Sequence, residues 1–140
     1  MRHTLIGLVI VTHGRLADEL KLATEHVVGP LDQLATVCIG ADDDLELANN
    51  AVHDAVKAAD SGSGVMLLTD MFGGTPSNLA ISLLGRENVE VVAGVNLPML
   101  IKLSEARSNL SLSAAAQTAK HAGRHYIAIA SEVIAGEIDE

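Results

Sequence analysis

Apolar residues along this chain fall into short continuous runs, separated by longer stretches in which they recur every three or four positions. The runs are Leu5–Val11 (LIGLVIV), Leu34–Ile39 (LATVCI), Val65–Thr69 (VMLLT) and Val89–Val95 (VEVVAGV). Continuous runs rich in β-branched residues suit strands covered on both faces, as in a parallel sheet. Between the first two runs, Leu16, Leu20, Ala23 and Val27 make one apolar helical face, and between the second and third, Leu45, Ala48, Val52, Val56 and Ala59 make another. Asp42-Asp43-Asp44 stands just ahead of the second helix, where the helix dipole favours negative charge. Pro76–Leu84 carries Leu79, Ala80, Leu83 and Leu84 on one side. Ala114–Lys120 reads as an Ala-rich helix that Gly123 stops, and Tyr126–Ala130 (YIAIA) as a last strand.

Strands alternating with helices predict an α/β fold: an open, mainly parallel sheet with helices on both faces. The Ser61-Gly62-Ser63-Gly64 stretch is a flexible connection, and with no internal repeat the 140 residues are expected to form one domain, 1–140. Composition narrows the partners. The 49% of hydrophobic residues suffice for a core, while a formal charge of −9 opposes binding to phosphate backbones. Aromatics are 1% of the chain, so stacking platforms for bases are missing too, and no nucleic-acid partner is expected. One cysteine, Cys38, excludes an internal disulfide and a multi-cysteine zinc site, and its apolar strand makes it a small core residue. No run approaches the roughly 20 apolar residues of a membrane span. Met1-Arg2-His3 before an apolar run is superficially like a signal peptide. The run ends in Thr12-His13-Gly14-Arg15, however, without a small-x-small cleavage site, so a buried first strand and a cytoplasmic location are expected.

In open parallel sheets, ligands bind beyond the carboxyl ends of the strands, where strand order reverses. Thr12-His13-Gly14 follows the first run, and Asp70-Met71-Phe72-Gly73-Gly74-Thr75-Pro76 follows the third. If those strands are neighbours, His13 and Asp70 meet at one rim. Gly73 and Gly74 permit close backbone approach, and Thr75-Pro76 fits an N-cap followed by proline in the first turn. Such a helix start can bind an anion, although an ordinary strand–helix turn would use the same residues. With Asp70 fixing one ring nitrogen, the other nitrogen of His13 can attack phosphorus. Spacing alone equally allows an ordinary loop histidine and a turn carboxylate.

Three segments carry a resemblance: Leu5–Leu16 (LIGLVIVTHGRL), Leu68–Asn78 (LTDMFGGTPSN) and Val92–Leu100 (VAGVNLPML). Together they resemble the mannose-family enzyme IIA domain of the bacterial phosphoenolpyruvate-dependent phosphotransferase system. The resemblance implies a phosphotransferase in which His13 becomes phosphorylated, Asp70 is its hydrogen-bonded partner, and Gly73, Gly74 and Thr75 bind the phosphoryl group. It implies phospho-HPr as donor, an enzyme IIB partner as acceptor, and neither cofactor nor metal. It also implies a homodimer in which an antiparallel C-terminal strand, here His125–Ser131, is exchanged between subunits. Family members often carry a fused IIB domain; this chain ends at Glu140, so a separate acceptor is expected. Arg15 stands where small or other residues are common, which bears on partner docking rather than on the chemistry. The loop Phe72–Pro76 and the Asn96–Met99 segment favour the mannose branch over the related subunit of dihydroxyacetone kinase.

Two other functions compete with a sugar-uptake phosphocarrier. One is a regulatory interaction protein whose His13 phosphorylation signals carbon or nitrogen status. The other is an unrelated anion-binding enzyme with His13 as general base. A neighbouring permease gene favours transport, a neighbouring sensor kinase favours signalling, and a co-purifying small ligand favours the third reading. Other candidates carry less. His121 and His125 are read as surface residues, His26 and His53 as partly exposed helix positions, and His3 has no evident partner. Asp42–Asp44 make a poor metal cage, and Met66, Met71, Met99 and Leu100 suit a core or interface.

Overall fold

A computed structural model describes residues 4–86 and 88–136; His3 lies outside them. Each apolar run becomes a strand: β1 (Gly7–His13), β2 (Leu34–Ile39), β3 (Val65–Thr69) and β4 (Val89–Ala93). All pair in parallel, in the order β2-β1-β3-β4. Strand order therefore reverses between β1 and β3, the neighbours that the site requires.

Alternation along the strands divides the core into two layers. Leu8 and Ile10 of β1, with Met66 and Leu68 of β3, face Ala17, Met99, Leu100, Leu103 and Ala115. Val9, Val11 and Leu67 face the other way, against Ala48, Val52, Leu79 and Leu83. The first layer is covered by α1 (Leu16–Val28), α4 (Leu97–Ala106) and α5 (Leu112–His125), the second by α2 (Leu45–Ala59) and α3 (Thr75–Ile81). Gly7 permits α2 to end against β1, because a Cβ there would lie 2.8 Å from the Ala59 carbonyl carbon.

The structure departs from the periodicity in several places. In α1 the buried positions are Ala17 and Thr24, while Leu16 and Val27 are exposed. The buried Thr12 hydroxyl accepts the Ala17 N–H at 2.7 Å, and Thr36 of β2 donates to Asp18 at 2.6 Å; these bonds set the helix's rotation. The α2 face is as expected except for Leu45, which is exposed in the first turn. Helix α3 stops at Ile81, and Leu83 is buried from the turn that follows. Residues 97–106 form a helix that the strand pattern did not reveal, capped by the Asn96 side chain, which accepts the Met99 N–H at 3.1 Å.

Gly123, finally, does not stop α5. It is buried within the helix, where a Cβ would lie 2.8 Å from Met99 Cε, and its carbonyl accepts from Asn96 Nδ2 at 2.9 Å. Glycine serves here for close helix packing rather than termination. Beyond α5, the Tyr126–Ala130 segment does not join the sheet of its own chain. Residues 126–129 form a turn and an irregular stretch, and Ala130–Ile134 forms the short helix α6. Among the described residues no strand lies beyond the β4 edge.

Gly7→Ala should cost about 2–3 kcal/mol, as overpacking against backbone does. Urea denaturation is expected to show a lower midpoint with an unchanged slope.

Candidate active site

His13 is the last residue of β1 and continues the Val9–Val11 row, so its side chain rises on the face that α3 covers. The chain must then turn at once into α1. Gly14 does so with φ +56°, while its N–H donates to Ile39 of β2 at 2.9 Å. Thr12 supports the same turn from below through its bond to Ala17. The Thr-His-Gly triplet thus divides its work between anchoring the helix, presenting the imidazole and reversing the chain.

Asp70 directly follows β3, whose last residue Thr69 pairs with Val11 of β1. Its Oδ2 accepts twice from His13, from the backbone N–H at 3.1 Å and from Nδ1 at 2.9 Å. Its Oδ1 accepts from the Met71 N–H at 3.2 Å. Burial alone raises the Asp70 carboxyl, but the bonds from the His13 ring and backbone and the attraction to that ring bring it below its ordinary 3.8. An ionised carboxylate only accepts hydrogen bonds, so Nδ1 carries the proton and Nε2 of the neutral ring keeps its lone pair.

That Nε2 lies over the glycine loop. Gly73 and Gly74 take φ +85° and +94°, and a Cβ on Gly74 would stand 3.0 Å from Nε2. Gly74 is the N-cap of α3, with Thr75 and Pro76 in its first turn. This corrects the assignment of Thr75 as the cap: its side chain makes no capping bond and it is exposed. The Gly74 carbonyl accepts the Asn78 N–H at 3.1 Å, leaving the first-turn N–H groups without helical partners. Proline removes one of those donors. His13, Asp70, Gly73, Gly74 and Thr75 therefore share one rim, with a nucleophilic nitrogen facing a loop of small, polar groups.

Sequence reasoning did not find the roles of Thr12 and Asn96, although a threonine in an apolar run and an Asn two residues before proline were available signals. It left Met71 as core or interface; Met71 is exposed, and so is Phe72 beside it. Met66, Met99 and Leu100 are buried, and Cys38 is half-buried in β2. Asp44 caps α2, accepting from Glu46 and Leu47, and Asp43 accepts from Gly40. His26 is exposed and His53 half-buried. The exposed His121 and His125 rings stack with centroids 5.2 Å apart. Among the described residues no group of three or more His, Cys, Asp or Glu could hold a metal ion, and no helix is long and apolar enough to cross a membrane.

Comparison with known proteins places this rim in context. Residues 7–120 match the family model EIIA-man, described as PTS system fructose IIA component. The chain is 30% identical over 109 residues to the PTS system fructose-specific EIIA component of Bacillus subtilis, covering 77% of this chain and 75% of that protein. It is 31% identical over 105 residues to the PTS system mannose-specific EIIAB component of Escherichia coli K12. That match takes in 74% of this chain but 32% of the longer protein, so the chain spans about a third of that relative. Among solved structures, the mannose/sorbose specific IIA subunit from Enterococcus faecalis superposes with a TM-score of 0.80 at 29% identity, covering 90% of this chain and 95% of that one.

Two outcomes follow from the geometry. Gly74→Ala strains a left-handed position and shields Nε2, so diethyl pyrocarbonate should modify His13 more slowly in the variant, as peptide mass mapping reads out, while stability falls by about 1–2 kcal/mol. The lowered Asp70 carboxyl contributes stability in full above its unfolded value and loses it as pH falls through the lower folded value. Denaturation midpoints of the unsubstituted protein and Asp70→Asn should differ at neutral pH and draw together as the pH is taken below 3.8.

Proposed function

The chain belongs to the EIIA-man family of phosphotransferase-system IIA components, and on that premise we propose that it is a cytoplasmic phosphocarrier acting through His13. In this reading Nε2 of His13 takes a phosphoryl group from the phosphohistidine of an HPr-type carrier and passes it to a IIB-type acceptor, for sugar uptake or its regulation. The observation that carries the reading is the 2.9 Å bond from Nδ1 to Asp70, which leaves Nε2 as the free nitrogen over Gly74.

The step is an in-line exchange of one N–P bond for another. The Nε2 lone pair attacks phosphorus as the donor's N–P bond breaks, and the donor imidazole leaves with that electron pair. The Nδ1 proton stays in place, so the His13 ring becomes cationic and the Asp70 carboxylate stabilises it. The Thr75 hydroxyl and first-turn N–H groups of α3 take the phosphoryl oxygens, while the left-handed glycines let the phosphorus approach without meeting a Cβ. Catalysis then rests on position and charge, as is usual for phosphoryl transfer.

The same premise extends to assembly. A groove of about 620 Å³ runs beside the open edge of β4, between Val91–Gly94 and Lys120 and Arg124 of α5. Tyr126, Ile127 and Ile129, all exposed, supply apolar side chains of suitable length to cover such an edge. In the homodimer proposed here, the segment His125–Ser131 of each copy adds an antiparallel strand to β4 of the other.

Incubation with phosphoenolpyruvate, enzyme I and HPr should add a single acid-labile phosphoryl group to the protein and none to His13→Ala, read by intact mass. Equal labelling of both, or of neither while a known IIA domain is labelled in the same mixture, would refute the assignment. For the dimer, sedimentation should show two copies together, and Ile127→Asp with Ile129→Asp should shift the protein toward monomer.

A further inference from the structure

The four loops that follow the strands make up the rim around His13, and their charge is one-sided. The loops after β2 and β3 contribute Asp42, Asp43, Asp44 and Asp70, and the loop after β4 has no charged residue. Arg15, two residues beyond His13, is the one Lys or Arg among them. Lys120 and Arg124 line the groove at the outer edge of β4. That edge is two strands from β1, on the order of 10 Å away. A phosphoryl group on His13 would bring a charge of about −1.5 to −2 into this acidic setting.

Arg15 is poised rather than committed. It sits at the N-cap of α1 with its side chain 80% exposed, and its guanidinium reaches Asp18 Oδ2 only at 3.9 Å. An exposed pair of that kind holds a side chain weakly. Asp18 has a firmer partner of its own: its other oxygen accepts from Thr36 at 2.6 Å. Two residues of backbone separate the α-carbons of Arg15 and His13 by at most about 7 Å, within reach of an arginine side chain.

We propose that Arg15 is the phosphoryl clamp of this protein: on phosphorylation of His13 its guanidinium leaves Asp18 and pairs with two phosphoryl oxygens. The planar fork of arginine matches that geometry, and a phosphoryl group offers more charge and more acceptors than a carboxylate already bonded to Thr36. The clamp offsets the repulsion between the phosphoryl group and Asp70, and so holds the phosphorylated state at a lower free energy. Arg15 thereby acts on the chemistry and not only on docking. The proposal rests on the reading of His13 as the phosphoryl acceptor.

The test is the equilibrium between phospho-HPr and this protein, measured by intact mass from both directions. Arg15→Ala should move the equilibrium toward phospho-HPr by roughly tenfold, and Arg15→Lys should restore part of it, since a point charge replaces a bidentate one. Asp18→Asn, which removes the competing carboxylate, should move it the opposite way. Circular dichroism of the two Arg15 variants should match the unsubstituted protein, as expected for an exposed position, and Asp18→Asn keeps a side-chain oxygen that can still accept from Thr36. An unchanged equilibrium constant in Arg15→Ala overturns the proposal, including the case where both transfer rates fall together, which marks a docking residue. If the unsubstituted protein takes no phosphate, the reading of His13 fails and the clamp falls with it; labelling without an Arg15 effect removes the clamp alone.

Discussion

One oxygen of Asp70 accepts both the backbone N–H and the ring Nδ1–H of His13, at 3.1 and 2.9 Å. Two bonds to a single acceptor fix the imidazole in place and in tautomer, so that the free nitrogen has one direction open to it. The geometry exists because β1 and β3, separated by more than fifty residues, are adjacent and in register, with Val11 opposite Thr69. Parallel strands bring their carboxyl ends to the same rim, and the reversal of order at β1 and β3 sends α1 and α3 to opposite faces. The histidine and the glycine loop meet between those two helix starts, where open parallel sheets bind their ligands.

The opposite rim of the sheet is closed as tightly as this one is open. Arg107, at the end of α4, is 3% exposed and donates through Nε to the Ile6 carbonyl at 3.0 Å and through a terminal nitrogen to Gln33 at 2.9 Å. Ile6 returns a backbone bond to the Arg107 carbonyl at 3.1 Å. Burial lowers the guanidinium's pKa, and the charge of Asp32 partly offsets this. A buried cation is costly unless its donors are satisfied, and here backbone carbonyls do so. The result binds the entry of β1, the entry of β2 and the first helical layer into one base, from which the loops of the functional rim project.

The Asn96–Gly123 contact links that layer to the site side. Asn96 caps α4 with its carbonyl oxygen and holds α5 with its amide, and the missing Cβ of Gly123 lets Met99 lie against α5. The C-terminal segment consequently leaves from the rim end of the sheet, next to the groove that opens between α5 and β4. Phe72 of the histidine-facing loop lines the same groove. Any strand seated there would lie against the loop that carries Asp70 and the glycines.

The four strands, four of the helices and the residues of the rim are legible in the amino-acid order alone, because those follow from local periodicity and from side-chain types with few uses. Continuous apolar runs have no stable place but the middle of a two-layer core, and a Gly-Gly-Thr-Pro stretch after a strand has few conformations open to it. The family's motifs were legible for the same reason. What periodicity lacked was any measure of distance. It could not place Asp70 against His13, since that contact depends on strand order, nor could it choose which ring nitrogen stays free. It took Gly123 for a helix end, because a glycine's local preference is for termination while its packing against Met99 is a contact across helices. It missed α4 because the cap and the proline that start it also suit a turn. The rotation of α1 was likewise decided by Thr12 and Thr36 reaching across elements. Those matters belong to tertiary structure, where a hydrogen bond of one to a few kcal/mol between distant residues outweighs the smaller preferences of each residue alone.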